Sequence, residues 1–481
     1  MSGVLVVDAG TSSVRAAVVR PDATVDAVHQ RAVPPACPSP GFVEIDALAL
    51  AGAALDVAGA ALAAAGPVDA VGIASQRAST VVWDRASGRP VGPGIGWQDL
   101  RTVGLCLVLQ DRGVRLAPNA SATKLAVLLD IADPDRRRDL CFGTIDAWLA
   151  WSLSARELHV TDASNAAVTG LVHPDASGWD PAVLAALRVP EAVLPTIVDS
   201  SGVLGPALAL PGAPPIAGLV GDQQASLVGQ GCTQPGSAKF TAGTGGMLDL
   251  CLGRRRPEFP GRGPQGCFPI VAWQRAGVVT WGLEAVMLSA GSCLAWLRDG
   301  LGLLDDVADS DALAASAASS GEVWFVPALA GMGTPAWDFG ARGLLLGLSG
   351  TTARADVVRA VLEGVAHRAA DLVEAAEADA GMPIGSLRVD GGMSANTTFV
   401  QLLARATQRP VEVSPVVEAT TLGAGFLAGM AVGLWAGEAD VAATWSPRQV
   451  VEPGRPLDRA RWLDVRNRAA GTVPELSALS F

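Results

Sequence analysis

One local pattern occurs twice in this chain and limits its folds more than any other feature. Near the N-terminus the apolar run Val4-Leu-Val-Val-Asp8 reads as a buried strand; it turns through Ala-Gly-Thr-Ser-Ser and continues as a second strand over 14–19. The same grammar returns at Lys239-Phe-Thr-Ala-Gly-Thr-Gly-Gly-Met247, again a glycine turn between strand-like runs. Glycines let a backbone approach a ligand closely, and the N–H groups of such a turn can be aimed at a phosphate. A single copy reads as an ordinary hairpin, with Asp8 in an Asx turn. Two copies in different halves of the chain point to two related α/β lobes facing one nucleotide.

Further residues attach chemistry to that frame. Gly221-Asp222-Gln223-Gln224 places a carboxylate about twenty residues ahead of the second turn. A base and a phosphate cradle on one segment point to phosphoryl transfer, although Asp222 alone also reads as a helix cap. Asp8 ends its strand where a carboxylate can hold Mg²⁺ through water, a hard cation suited to oxygen ligands and phosphates. A third glycine signature follows the strand at 387–390: Gly391-Gly392, then Met-Ser-Ala-Asn396 and a helix, which faces a phosphate or an adenosine.

Between these points the spacing predicts a helix over 46–65 capped by Asp46 and a strand over 68–75 with Gln76-Arg77-Ala78 at its carboxyl end, where open α/β sheets bind ligands. Helices are predicted over 100–110, over 121–129 with Ser121 as cap, and over 143–153, with a polar loop opening at 159–162. A helix over 284–298 carries Gly291, explained equally by a flat ligand lying close or by tight packing; a long one over 353–380 has Thr352 as cap and Gly381 as stop. The segment after 446 reads as peripheral.

Composition narrows the function classes. The 481 residues allow two to four domains, and the net charge of −12 argues against a nucleic-acid or anionic-membrane surface. An anionic substrate must be held locally, by amides, arginines and a metal. No apolar run of membrane-spanning length escapes interruption by Asp, Gly or Pro, and no basic leader precedes the first strand, so neither a membrane span nor a signal peptide is expected. Seven scattered cysteines form no framework and fit reduced thiols in a cytoplasm; four dispersed histidines form no zinc site. The only two lysines, Lys124 and Lys239, lie outside any GxxxxGK[ST], which excludes a P-loop.

With the glycine signatures in this order, the chain resembles the FGGY carbohydrate kinases, the glycerol kinases among them most closely. The likeness covers nearly the whole length, through Asp8-Ala-Gly-Thr-Ser-Ser-Val-Arg15, Gly72-Ile-Ala-Ser-Gln-Arg77, Val81-Val-Trp-Asp-Arg85, Trp97-Gln-Asp99 and Phe142-Gly-Thr-Ile-Asp146. It continues through Gly221-Asp-Gln-Gln-Ala225, Gly243-Thr-Gly245, Trp296-Leu-Arg-Asp299, Trp337-Asp338, Ala341-Arg-Gly343 and Val389-Asp-Gly-Gly392. The resemblance implies an α/β fold of two actin-like (ribonuclease H-like) domains, taken as 1–226 and 227–481, with ATP and Mg²⁺ in the cleft between them. It implies Thr11, Ser12, Ser13 and Arg15 along the phosphates from one side and Gly243 and Thr244 from the other, with Gly291, Gly392 and Asn396 bordering the adenosine. Asp222 matches the catalytic base, Gln223 its neighbour at the substrate, and Arg77 and Trp97 the polyol pocket, which Asn119 joins. The acceptor is then a small polyol or sugar, and a homodimer is compatible with the family.

Four positions depart from the glycerol kinase pattern. Ala78 stands where those enzymes carry a glutamate, Asn119 where they carry a tyrosine, Met247 where they carry an aromatic, and Ala295 where a glutamine meets the nucleotide. A roomier pocket in which a small ligand leaves Arg77 short of partners predicts a four- or five-carbon polyol or ketose, of the erythritol, xylitol or xylulose type, in place of glycerol. A catalytically weak, nucleotide-gated sugar sensor is the alternative outside the enzymes, and a binding module like the chaperone ATPases of the same fold is disfavoured by Asp222-Gln223 with Arg77 and Trp97.

Overall fold

The computed structural model describes residues 3–416 and 418–480. Its first half is a mixed five-stranded sheet. Val4–Ala9, Ser13–Val19 and Val25–Ala32 form an antiparallel meander, and Ala70–Ser75 and then Pro215–Gly221 add in parallel on the other side of the first strand. The second half repeats this order. Ala238–Ala242, Gly246–Gly253 and Val278–Met287 run antiparallel, while Leu387–Asp390 and Val411–Val413 add in parallel beside the first of them. Helices occupy matching places in the two halves: Ala47–Ala65 and Arg354–Ala380 each carry the chain from the third strand to the fourth. Strands Ser201–Pro206 and Phe268–Arg275 join the two sheets through one residue pair, Ser201 with Arg275.

The sequence explains the regular parts. Val4 to Val7 are fully buried, as a strand covered on both faces requires. Asp46 caps Ala47–Ala65 by accepting from the N–H of Ala49 at 2.9 Å. By length and composition that helix could cross a membrane, yet Leu50, Ala54, Ala58 and Ala61 pack it into the core of the first half, against Leu5, Val7 and Ile73. Each half ends its parallel pair with a helix, Asp222–Gly229 or Ala419–Ala431, and these two helices cross between the lobes. A Cβ on Gly229 would lie 1.8 Å from the oxygen of Ala419, and one on Gly423 the same distance from the oxygen of Ala225, so glycine sets how closely the halves approach.

Several expected boundaries move. Residues 284–287 belong to the strand Val278–Met287, which is paired on both sides, with Gly246–Gly253 and with Phe268–Arg275, and the helix begins only at Gly291 (Gly291–Asp299). Ser121 lies inside the helix Ser121–Ala132, and its Oγ donates to the carbonyl of Ala78 at 3.0 Å instead of capping. Thr352 is not the cap of Arg354–Ala380; Asp356 reaches back to the N–H of Ala353 at 2.8 Å. The helix expected over 100–110 is Val103–Gln110, and the one expected from 143 is a strand, Leu140–Gly143, followed by the helix Ile145–Leu153. At 159–162 the polar residues form a short strand, Val160–Asp162, whose aspartate caps Ala163–Ala167. A division at 226/227 cuts the helix Asp222–Gly229, which runs unbroken to the turn at Gly231. The C-terminal segment is part of the fold: Gln449–Val451 extends the sheet, and Trp462 of Arg459–Arg468 is fully buried, stacked on His367 at 4.8 Å.

Candidate active site

The carboxyl ends of the parallel strands Ala70–Ser75 and Pro215–Gly221 lie side by side and present Arg77 and Asp222 to the cleft between the halves. Arg77 Nε is 3.5 Å from Asp222 Oδ1, and its Nη2 is 2.7 Å from Glu284 Oε2 on the second half. The Sδ of Met247 lies 3.9 Å from the same nitrogen. Arg77 is therefore partnered before any ligand arrives, which corrects the expectation that a small acceptor would strand its charge. Asp222 also accepts from the N–H of Gln223 at 2.8 Å. Burial pushes its carboxyl above the usual range and the Arg77 charge opposes that shift. A raised carboxylate held beside a guanidinium is a stronger proton acceptor than one in water.

Asp8 ends the neighbouring strand and faces the same floor. Burial first, and the charge of Asp222 second, push its carboxyl up to about 7 against the pull of Arg15. The four carboxylates Asp8, Asp222, Glu284 and Asp249 outnumber the three cations Arg15, Arg77 and Lys239 that interact with them. Among the described residues no cluster of three or more acidic, histidine or cysteine side chains could cage a metal alone. An excess of desolvated carboxylate without a protein cage fits Mg²⁺, which binds through one or two carboxylates plus phosphate oxygens. Asp8 would hold that ion.

The pocket wall hangs on a buried lysine. Lys124, fully buried, donates to the carbonyls of Trp97 at 3.2 Å and Asn119 at 2.8 Å, so one side chain fixes both pocket loops. Its desolvation lowers the ammonium to about 7. The Trp97 indole N–H donates to Thr11 Oγ1 at 3.2 Å, so only its ring face is left for a ligand. Asn119 is exposed, and its side chain makes no hydrogen bond within the described protein.

The second and third glycine signatures meet, with Gly291 packed against the second. The carbonyl of Gly243 accepts from the N–H of Gly291 at 2.8 Å, and Thr244 accepts from Ala290 and Ser292. A Cβ on Gly291 would sit 2.7 Å from the oxygen of Gly243, and one on Gly391 would sit 2.6 Å from that of Ala242. Gly291 is thus glycine because the second hairpin lies against it, and Gly392 opens the next turn on the same surface. Across the cleft, Ser13 Oγ accepts from Gln30 at 2.9 Å, Ser12 is exposed, and Arg15 bridges to Glu418 of the second half at 3.3 Å. Asn396 turns inward: its Oδ1 caps the helix Thr397–Thr407 at the N–H of Phe399, and its amide nitrogen donates to Ser310.

Residues 3–229 match the N-terminal domain model, and 240–432 the C-terminal domain model, of the FGGY family of carbohydrate kinases. The chain belongs to that family and is an ATP-dependent carbohydrate or polyol kinase built from two actin-like, ribonuclease H-like domains. It is 41% identical over 498 residues to a glycerol kinase of Aromatoleum aromaticum, covering 98% of this chain and 100% of that one. A glycerol kinase of Rhodopirellula baltica is 37% identical, across 99% of this chain and 92% of that one. Among solved structures, Plasmodium falciparum glycerol kinase with ADP superposes with a TM-score of 0.90 at 25% identity, covering 100% of this chain and 99% of that one. A xylulose kinase from Rhodospirillum rubrum gives 0.85 at 21% identity, over 98% and 99% of the two chains, and shares the fold.

Sequence reasoning missed two charged residues of the floor, Glu284 and Lys239. Glu284 falls at the start of the helix expected over 284–298, whereas it sits buried within the strand Val278–Met287. Lys239 carried a signal too: a chain with 35 basic residues and only two lysines keeps both of them fully buried.

Proposed function

We propose that this kinase transfers the γ-phosphoryl group of ATP to a primary hydroxyl of a small polyol, glycerol being the first acceptor to test. The reading rests on Asp222 held between Arg77 and the Gln223 N–H at the meeting point of the two lobes. The acceptor oxygen forms its bond to the γ-phosphorus, the bond to the ADP oxygen breaks, and the hydroxyl proton passes to Asp222. Mg²⁺ at Asp8 would neutralise charge on the phosphate oxygens. The hairpin amides at Gly243 and Thr244, with Thr11, Ser12 and Ser13 opposite, position the phosphates, and Gly291 and Gly392 border the nucleoside; Arg77, Trp97, Asn119 and Gln223 surround the acceptor. In this reading the first lobe carries the acceptor pocket and one phosphate hairpin and the second the other hairpin and the nucleoside side, with the seam at the turn after Gly229 and a cytoplasmic setting.

A longer acceptor, a four- or five-carbon polyol or ketose, is the second reading. It draws on Ala78, which lacks a side chain that could bond the acceptor, and on the exposed Asn119 amide, which offers a donor and an acceptor beside Arg77. Release of ADP over a panel of C3–C5 polyols and ketoses decides between them: a highest kcat/KM for glycerol supports the first reading, and one for a longer acceptor the second. No ADP release with any member would remove the kinase assignment to small polyols.

A further inference from the structure

Lys239 is fully buried on the strand Ala238–Ala242 of the second lobe, and its ammonium has three partners for its three protons. Asp249 Oδ2 lies at 2.7 Å, Thr241 Oγ1 at 2.8 Å, and Oε1 of Gln223, on the first lobe, at 2.6 Å. Asp249 is itself fully buried, so the ammonium is anchored from behind. An ammonium can only donate, and therefore the atom of Gln223 that meets it must be the amide oxygen. That contact fixes an amide orientation that a glutamine in water would exchange freely. The NH₂ group, which makes no hydrogen bond within the described protein, is left for the partly open cleft.

We infer that Lys239 is a positioning residue that locks Gln223 as a donor-only contact, so that the acceptor atom facing Gln223 must accept a hydrogen bond. This rests on the reading of Gln223 as an acceptor contact. The lock also carries register between the lobes. Thr241, bound to the same ammonium, stands two residues before Gly243 of the phosphate hairpin, so the strand that presents the hairpin also orients the group that reads the acceptor. Arg77 is likewise donor-only, while Asp222 supplies the site's acceptor for the reacting hydroxyl. A carbonyl or hydroxyl oxygen satisfies Gln223; a methylene at that place leaves its N–H groups without a partner.

The test is steady-state kinetics with the acceptor of highest kcat/KM from the panel. Gln223→Glu keeps an oxygen for Lys239 while removing the NH₂ donors; its melting temperature should match or exceed wild type, with acceptor KM raised at least about tenfold and ATP KM within about twofold. Lys239→Met alone would bury Asp249 unpaired, so the lysine is removed as Lys239→Met/Asp249→Leu, an apolar replacement of the whole pair. That pair should raise acceptor KM at least about tenfold in the wild-type background and less than about twofold when Gln223 is already Met. Wild-type acceptor KM in Gln223→Glu would overturn the donor-only lock, and this variant decides alone if the Lys239/Asp249 replacement does not fold. An equal effect of that replacement in both backgrounds would reduce Lys239 to a structural role. Wild-type acceptor KM in Gln223→Met, by contrast, would remove Gln223 from the acceptor site and this role of Lys239 with it.

Discussion

Two clusters of buried carboxylates meet at Gly221, and they are satisfied in opposite ways. Behind it, Asp146 accepts from the hydroxyls of Thr144 and Thr161 and from the N–H of Asp162, while Asp162 accepts from Ser200, from the Asn165 amide and from two backbone N–H groups. Among the described residues no cation pairs with either one, and the chain of bonds ends where Ser164 Oγ accepts from the N–H of Gly221 at 2.9 Å. In front, the charges of Asp222 and Glu284 meet Arg77, and Asp8 faces Asp222 with no hydrogen bond to its carboxylate from the described residues. Burial pushes Asp146 up to about 7, as it does Asp8, so a raised carboxyl by itself does not mark out the cluster proposed to be catalytic. The distinction is in the partners. The rear cluster has hydroxyls and amides of one lobe around it; the front cluster meets cations from both lobes, fewer than its carboxylates, and keeps oxygens for a ligand.

The comparison breaks most visibly at Asp222. Asp222→Asn should lower kcat at least about 10²-fold and leave ATP KM within about twofold, because the proton acceptor is lost while the phosphate hairpins are untouched. A near-wild-type turnover in that variant would take the base role from Asp222.

Next come matched changes in the two clusters. Asp8→Asn should raise the Mg²⁺ concentration for half-maximal activity about tenfold without lowering the melting temperature of the free protein. Asp162→Asn should do the reverse, costing about 1–3 kcal/mol of stability by stranding buried donors, with the Mg²⁺ requirement unchanged. Magnesium titrations beside thermal melts separate the two, and a shifted Mg²⁺ requirement in Asp162→Asn would dissolve the contrast.

Much of this was legible in the sequence. The doubled hairpin announced two lobes, and Asp46 and Gly381 marked helix ends because capping is local chemistry. That Asp222 follows a parallel strand lying beside Ala70–Ser75 shows only in the sheet, whereas Arg77 could be placed at its strand end. Glu284 and Lys239 could not, since their roles exist only when the second lobe closes on the first. Arg77 looked undersupplied for the same reason: its glutamate comes from more than two hundred residues away, not from position 78. Trp462 misled because a buried anchor in a polar helix shows no apolar stripe.

A smaller effect lies in pH. Asp8 and Asp146 sit near 7 in the folded protein and near 4 when unfolded, so the folded state holds their protons more tightly. Their contribution is fully present below the unfolded value and is lost as pH rises through the folded one. Free protein should therefore lose at least about 1 kcal/mol between pH 5 and pH 7.5. Saturating Mg²⁺, nucleotide and acceptor should cancel the part owed to Asp8 and leave the part owed to Asp146. Denaturant melts of Asp8→Asn and Asp146→Asn assign the two parts; a ligand-insensitive slope that disappears in Asp8→Asn would place Asp8 away from the metal.

The smallest effect tests the rim of the front cluster. Arg15, placed at the phosphates by resemblance, is held by Glu418 at 3.3 Å and Gln30 at 3.2 Å. Both ends of the ion pair keep about a quarter of their surface in water, so the bridge is worth at most about 1 kcal/mol after screening. A phosphate offers Arg15 more charge and several oxygens, so nucleotide binding should draw the guanidinium from Glu418 at a small cost in affinity. Glu418→Gln removes that competition, and ATP KM should fall about two- to threefold at low salt, with the gain fading near 0.5 M salt as screening weakens the pair. If Glu418 instead holds Arg15 in the orientation that phosphate needs, ATP KM rises in Glu418→Gln. That result would make the front cluster as internally satisfied at its edge as the rear cluster is throughout.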